Sequence, residues 1–428
     1  MKTIAVVATA AVVLLASSAA RAQVRIEISG ANFRPLPIAA PAPIGQGVPS
    51  EAASQFDSAL VLDLTAAGIF QFLDRKGYLA DPNEGITAGT IRFQRWADIG
   101  ADALLKTQLS ASGGELRAQA RLFTVATGRE ELQIAHSVPV DHPRQLAHQI
   151  ADEIYRFFTR EPGPFETHLA YVTRNNGGRD VWLSEWDGMN ARRVSNGGMN
   201  LLPAVAPDGR SVAYTSYNGG QPDIYLARPG GKPTPLVRAG SMATGVAFSP
   251  DGRRIAWAQS SGQGTQIWVA QSDGSGGRAI TQTPFFINTS PSWSPDGKQL
   301  AFVSDRGGSP QIYVMNDDGS GVRRLTFQGN YNQTPDWSPR GDLIAFTARD
   351  ERNAFDLFTV EAGSGKITRL TQDQGNNEEP SFSPNGRLIV FTSTRNGWPQ
   401  LFVMTYDGRN QVPLPLPRGG YLTPDWGP

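Results

Sequence analysis

A proline-centred turn recurs five times along the C-terminal part of this chain, and its spacing limits the possible folds more than any other feature. It reads Ala206-Pro207-Asp208-Gly209-Arg210, then Ser249-Pro250-Asp251-Gly252-Arg253, Ser294-Pro295-Asp296-Gly297-Lys298, Ser338-Pro339-Arg340-Gly341-Asp342 and Ser383-Pro384-Asn385-Gly386-Arg387. The prolines at 207, 250, 295, 339 and 384 stand 43, 45, 44 and 45 residues apart. A fixed period in this range marks a solenoid, a propeller or another array. Each turn precedes a short apolar run, such as Ile255-Ala256-Trp257 or Leu300-Ala301-Phe302, and then a second run, such as Gln266-Ile267-Trp268-Val269 or Gln311-Ile312-Tyr313-Val314. Asp-Gly turns at Asp273-Gly274 and Asp318-Gly319 lead to a weaker fourth strand. Period-2 patterning and the Pro-Asp-Gly breaks exclude helical repeats. Four antiparallel strands per period describe a β-propeller blade.

The ends of the array set the blade count. Upstream lies a set with Leu169-Ala170-Tyr171-Val172 and Asp180-Val181-Trp182-Leu183 but no first strand. Far downstream, Thr423-Pro424-Asp425-Trp426 copies the first-strand segment Thr334-Pro335-Asp336-Trp337. The expected fold is therefore an all-β six-bladed propeller over 168–428, closed by the C-terminal strand, which leaves no open sheet edge.

Upstream the period is absent. Residues 1–22 read as a signal peptide: Lys2, an apolar run from Ile4 to Ala16, and a small-residue cleavage site between Ala22 and Gln23. That run is too short for a bilayer, which needs about 20 residues. Residues 23–49 read as an alternating strand, Gln23, Val24, Arg25, Ile26, Glu27 and Ile28, followed by a leash with prolines at 35, 37, 41, 43 and 49. The strand is either an edge strand of the next domain or a detachable strand that pairs with a partner. An α/β domain is expected over 50–161, with helices at 51–74 and 142–160 around strands near 103–109, 116–125 and 132–138. Pro162-Gly163-Pro164 opens a linker over 162–167.

Composition narrows the function. Lys+Arg and Asp+Glu both number 39 and charged residues make up 18% of the chain, so no global field draws nucleic acid. The absence of cysteine removes disulfides, thiolate chemistry, cysteine-ligated zinc and a lipidated cysteine, and with the last a direct membrane anchor. Gly-x-Ser-x-Gly is missing, and His136, His142, His148 and His168 form no His-Glu-x-x-His. Asp317-Asp318-Gly319 lacks the remaining ligands of a calcium loop and reads as a hairpin turn. No catalytic residue, metal or cofactor is expected. Strand alternation puts the Pro-Asp-Gly and Asp-Gly turns at one end of the propeller and the inter-blade loops around the channel mouth at the other. This rim is polar and mostly uncharged, suited to hydrogen-bonding a protein segment.

The whole chain resembles the TolB family of the Tol-Pal system. The likeness rests on a signal peptide without a lipidated cysteine, an α/β domain of this size, and six blades, five of them with a turn of the Ser-Pro-Asp-Gly-[Arg/Lys] type. The resemblance implies a monomeric, non-enzymatic periplasmic scaffold that supports outer-membrane integrity and constriction during division. It implies binding of the lipoprotein Pal at the propeller mouth and of TolA through 23–28. The expected mouth residues are Asn200, Met242, Thr244, Gly245, Asn288, Thr289, Ser290, Asn332, Gln333, Thr334, Asn377, Glu378 and Glu379. Two rival readings are a six-bladed hydrolase or lactonase, which needs inward-facing Asp, Glu or His ligands, and a propeller that binds oligosaccharide or peptide.

Overall fold

A computed structural model describes residues 33–428 except 80, 82, 176 and 261. The signal peptide, its cleavage site and the strand from Gln23 to Ile28 lie outside the described residues. Six four-stranded antiparallel sheets follow the expected repeat. The ring closes as the sequence implied: Tyr421–Gly427 pairs antiparallel with His168–Asn175, Trp426 opposite Leu169, and becomes the innermost strand of blade one. Blades two to six start with the inner strands Asn200–Val205, Ala243–Phe248, Asn288–Trp293, Asn332–Trp337 and Asn377–Phe382. The tight turns of blades two to four are each held by their own acid; the Asp251 carboxylate accepts the Arg253 N–H and the Ser249 hydroxyl, and Asp296 repeats this with Lys298 and Ser294.

The N-terminal domain departs from expectation in two places. Its strands are β1 (Leu36–Ala39), β2 (Ile44–Gln46), β3 (Phe70–Phe72), β4 (Ala103–Ser112), β5 (Glu115–Thr124) and β6 (Arg129–Pro139), and its helices are α1 (Ser50–Ala66), α2 (Phe93–Asp98) and α3 (Pro143–Thr159). The first correction concerns the expected leash. β1 lies between β3 and β4, parallel to both, with Ile38 and Ala39 fully buried, and β2 pairs with β4. A strand buried on both faces shows no alternation, so its prolines dominated the sequence reading. The second concerns the first helix, which ends at Ala66 and not near Asp74. Gly68 takes φ +70°, and a Cβ there would meet Thr405 Cγ2 at 2.7 Å, so the chain turns against the propeller and Phe70 enters β3.

α1 and α3 cover one face of the sheet, and their apolar residues merge with Trp186, Leu414 and Trp426 of the propeller into one core. The domain docks on the end of the propeller that carries the tight turns. Asn410 of blade six donates to the carbonyls of Thr65 and Ala66, capping α1 from the other domain. Arg387 grips Glu161 with two hydrogen bonds of 2.6 and 2.5 Å, Arg340 adds a third at 3.0 Å, and Asn385 donates to the Pro162 carbonyl. Trp186 is fully buried, stacks on Trp426 with centroids 5.6 Å apart, and donates to Asp63 of α1. Among the described residues, the α/β domain leaves the channel mouth at the opposite end uncovered.

Candidate partner-docking site

Every inner strand is interrupted once near the mouth. The register slips between 201 and 204, 244 and 247, 289 and 292, 333 and 336, 378 and 381, and 422 and 425. At each bulge one residue takes positive φ: Leu202, Gly245, Ser290, Thr334, Glu379 and Thr423. Five of the six are not glycine, and five are followed by proline, at 203, 291, 335, 380 and 424. Left-handed backbone costs a side-chain-bearing residue of order 1 kcal/mol or more, so the surrounding ring must enforce it. These bulges line a channel of about 460 Å3.

Side chains tie neighbouring inner strands together below the bulges. Ser292 accepts the Trp337 N–H, Asp336 the Phe382 N–H at 2.7 Å, Ser381 the Trp426 N–H and Asp425 the Val205 N–H at 2.6 Å. Glu379 accepts the Thr423 N–H at 2.6 Å. Burial raises the Asp336 carboxyl to about 7 and Asp425 to about 6, against the backbone donors that lower them. Burial and the neighbouring Glu379 push Glu378 up to about 7. Asp336 and Asp425 face the channel. Both act as staples between blades.

The expected contact residues separate into two groups. Asn200, Asn288, Asn332 and Asn377 are at most 1% exposed and do not face a partner. Each amide reaches back into the preceding blade. Asn332 Nδ2 donates to Gln311 Oε1, Thr326 Oγ1 and the Gln328 carbonyl, and Asn377 Nδ2 to Asp356 Oδ1. Asn288 meets Gln266 and Thr283 in the same way, and Asn200 the Arg179 and Gly197 carbonyls. These asparagines are latches between blades. An asparagine recurring at the blade period, at 288, 332 and 377, is the sequence signal that marks such a latch. Gly245, Ser290, Thr334 and Glu379 line the channel, Thr244, Thr289, Gln333 and Glu378 are half-buried beside the bulges, and Met242 is exposed on the rim.

The rim itself is apolar where the sequence reading had it polar. Of ten large hydrophobic side chains exposed among the described residues, eight stand at the mouth end. Phe285, Phe286 and Ile287 lead from blade three into blade four, with Phe285 77% exposed at φ +70°. Phe327, 72% exposed, follows in the next loop beneath the Arg324 guanidinium, and Met199, Leu202, Tyr217 and Met242 extend the arc over blades two and three. Exposed apolar residues concentrated on one surface mark an interaction site. Among the described residues one group of three metal-type side chains converges, His148, Glu185 and Asp187, and it lies at the domain interface with Arg144 bonded to both acids.

A propeller capped at one end by its own α/β domain, with an apolar arc around a stapled channel at the other, belongs to the class of protein-docking scaffolds. Family models for the TolB amino-terminal domain and the TolB β-propeller domain match residues 24–131 and 155–428. The chain is 65% identical over 404 residues to the Tol-Pal system protein TolB of Myxococcus xanthus, covering 94% of each, and 49% identical to that of Anaeromyxobacter dehalogenans, covering 98% of each. The crystal structure of TolB from Acinetobacter baumannii superimposes with a TM-score of 0.79 at 25% identity, over 92% of this chain and 97% of that one. The chain belongs to the TolB family and is a non-enzymatic scaffold component of the Tol-Pal system.

Proposed function

We propose that this scaffold works in the periplasm, holding the lipoprotein Pal at the channel mouth and TolA through 23–28, and so supports outer-membrane integrity and constriction during division. The observation that carries the first contact is the apolar arc from Met199 to Phe327, on the end of the propeller that the α/β domain leaves open. Thr289 and Gln333, half-buried beside the bulges, supply hydrogen bonds behind it. The second contact rests on the alternation of Val24, Ile26 and Ile28, which suits addition to an exposed sheet edge. Among the described residues no helix is long and apolar enough to cross a membrane.

The test is capture of purified Pal and TolA by the protein and two variants. A double variant, Phe285→Glu with Phe327→Glu, should weaken Pal capture by about 30-fold or more, as loss of an apolar hot spot does, while leaving TolA capture intact. A chain beginning at Ala31 should show the reverse. Val322→Glu, an exposed apolar residue in a tight turn at the opposite end, serves as the control. Equal Pal affinity for the double variant and this control removes the mouth from the reading.

A further inference from the structure

The two domains meet at two charged contacts of different character. One is the grip of Arg387 and Arg340 on Glu161. The other surrounds His148. The blade-one hairpin that carries Glu185, Trp186 and Asp187 is inserted between α1 and α3, and both ring nitrogens of His148 face carboxylates: Nδ1 meets Asp63 Oδ2 at 2.7 Å and Nε2 meets Glu185 Oε2 at 3.4 Å. Asp63 is fully buried and accepts on its other oxygen from Trp186 Nε1 at 2.9 Å. Arg144, one turn before His148 on α3, bonds Glu185 at 2.9 Å and also Asp187. With both ring nitrogens set as donors, His148 sits as an imidazolium, and the cluster then holds two positive and three negative groups.

We propose that this cluster is a releasable latch between the domains, opened when His148 gives up its proton, while the Glu161 contact stays closed and serves as the pivot. Neutral His148 would leave the buried Asp63 and Asp187 and the half-buried Glu185 against one guanidinium, an arrangement relieved by admitting water. The charged groups around the imidazole are Asp63 from α1, Arg144 from α3, and Glu185 and Asp187 from the propeller hairpin; Asp152, one turn further along α3, accepts from the Phe165 and Glu166 N–H groups, and burial raises the Asp63 carboxyl against the pull of His148 and Trp186. Burial disfavours the imidazolium, but Asp63 and Glu185 outweigh it and hold His148 up at about 9. Burial likewise opposes the Glu185 carboxylate, yet His148, Asn190 and Arg144 bring it down to about 2. Burial raises Asp152 to about 7 despite the N–H groups of Phe165 and Glu166, below the value at which His148 loses its proton. Glu161 is held low by Arg387 and Arg340 and does not change state there. A histidine raised in the folded protein contributes fully below its free value of 6.5 and loses that contribution as pH climbs through about 9. The latch is therefore closed at neutral pH and opens on the alkaline side.

The chain has no cysteine, so a pair introduced as Glu115→Cys in the α/β domain and Lys232→Cys in blade two takes donor and acceptor dyes cleanly. The full-length protein should show one interdomain distance from pH 6 to 7.5 and a wider distribution above it, with a midpoint near 9. Glu185→Gln should lower that midpoint by about one pH unit or more, and His148→Gln should abolish the transition. An unchanged distance up to pH 10.5 with native circular dichroism overturns the latch, as does an identical midpoint in Glu185→Gln. That second arm stands even where His148→Gln does not fold.

Discussion

The two ends of the propeller are made from the same strands and solve opposite problems. At the tight-turn end, large side chains are driven into a second domain: Trp186 is fully buried against Trp426 and Phe165, and its indole N–H is spent on Asp63. At the mouth end, side chains as large are left in water, and the backbone beneath them holds left-handed residues that an unconstrained chain avoids. One end is finished within the chain; the other is shaped but uncovered. The difference teaches that burial alone does not separate structural from functional aromatic residues in a repeat, whereas the end of the blade on which they fall does.

Removing 421–428 should break this comparison most severely, because the same strand supplies Trp426 to the domain interface and Thr423 and Asp425 to the channel. The Trp426→Ala change alone should cost about 3–5 kcal/mol, and the deletion more, read as a fall in the denaturant midpoint. Trp186→Ala tests the tight-turn end separately. It should cost about 3 kcal/mol and loosen the α/β domain in small-angle scattering while the propeller stays folded. A latch between blades comes next: Asn332→Ala strips the donor from Gln311, Thr326 and the Gln328 carbonyl and should cost about 1–2 kcal/mol without changing either end. The smallest stability effect, and the opposite sign, belongs to the mouth. Phe285→Gly removes an exposed ring from a position at φ +70°, so thermal stability should hold or rise by up to about 1 kcal/mol while capture of Pal falls. A loss of stability as large as that of Trp186→Ala would erase the distinction between the ends.

The repeat made the propeller legible because each blade restates the same turn and strand pattern, and the orphan segment at Thr423 showed how the ring closes. What escaped reading has physical causes. β1 is four residues long, contains Pro37, and is buried between two parallel neighbours, so it offers none of the alternation by which strands are recognised. The latch asparagines were visible as a period, but an asparagine at the start of an inner strand looks the same whether its amide points at a partner or at the blade behind it. Only the positions of Gln311 and Asp356 decide that. Asp336 and Asp425 stand in a copied segment; that they face the channel follows from the bulge two residues earlier, which shifts the alternation. Phe285, Phe286 and Ile287 form an apolar run that a sequence pattern does not distinguish from a buried strand, although they stand exposed on the rim.

The closing strand also governs time. Blade one is assembled from residues near the middle of the chain and from its final segment, with His168 Nδ1 and the Pro428 carbonyl 3.0 Å apart across 260 positions of sequence. A chain made from its N-terminus must therefore complete five other blades before the first can close, and a contact of such separation is slow to form. Until then the Leu169 and Tyr171 edge lies open to any passing strand, and Trp186 lacks the ring on which it stacks. Newly made protein is thus open to mispairing at that edge until the strand Tyr421–Gly427 has docked.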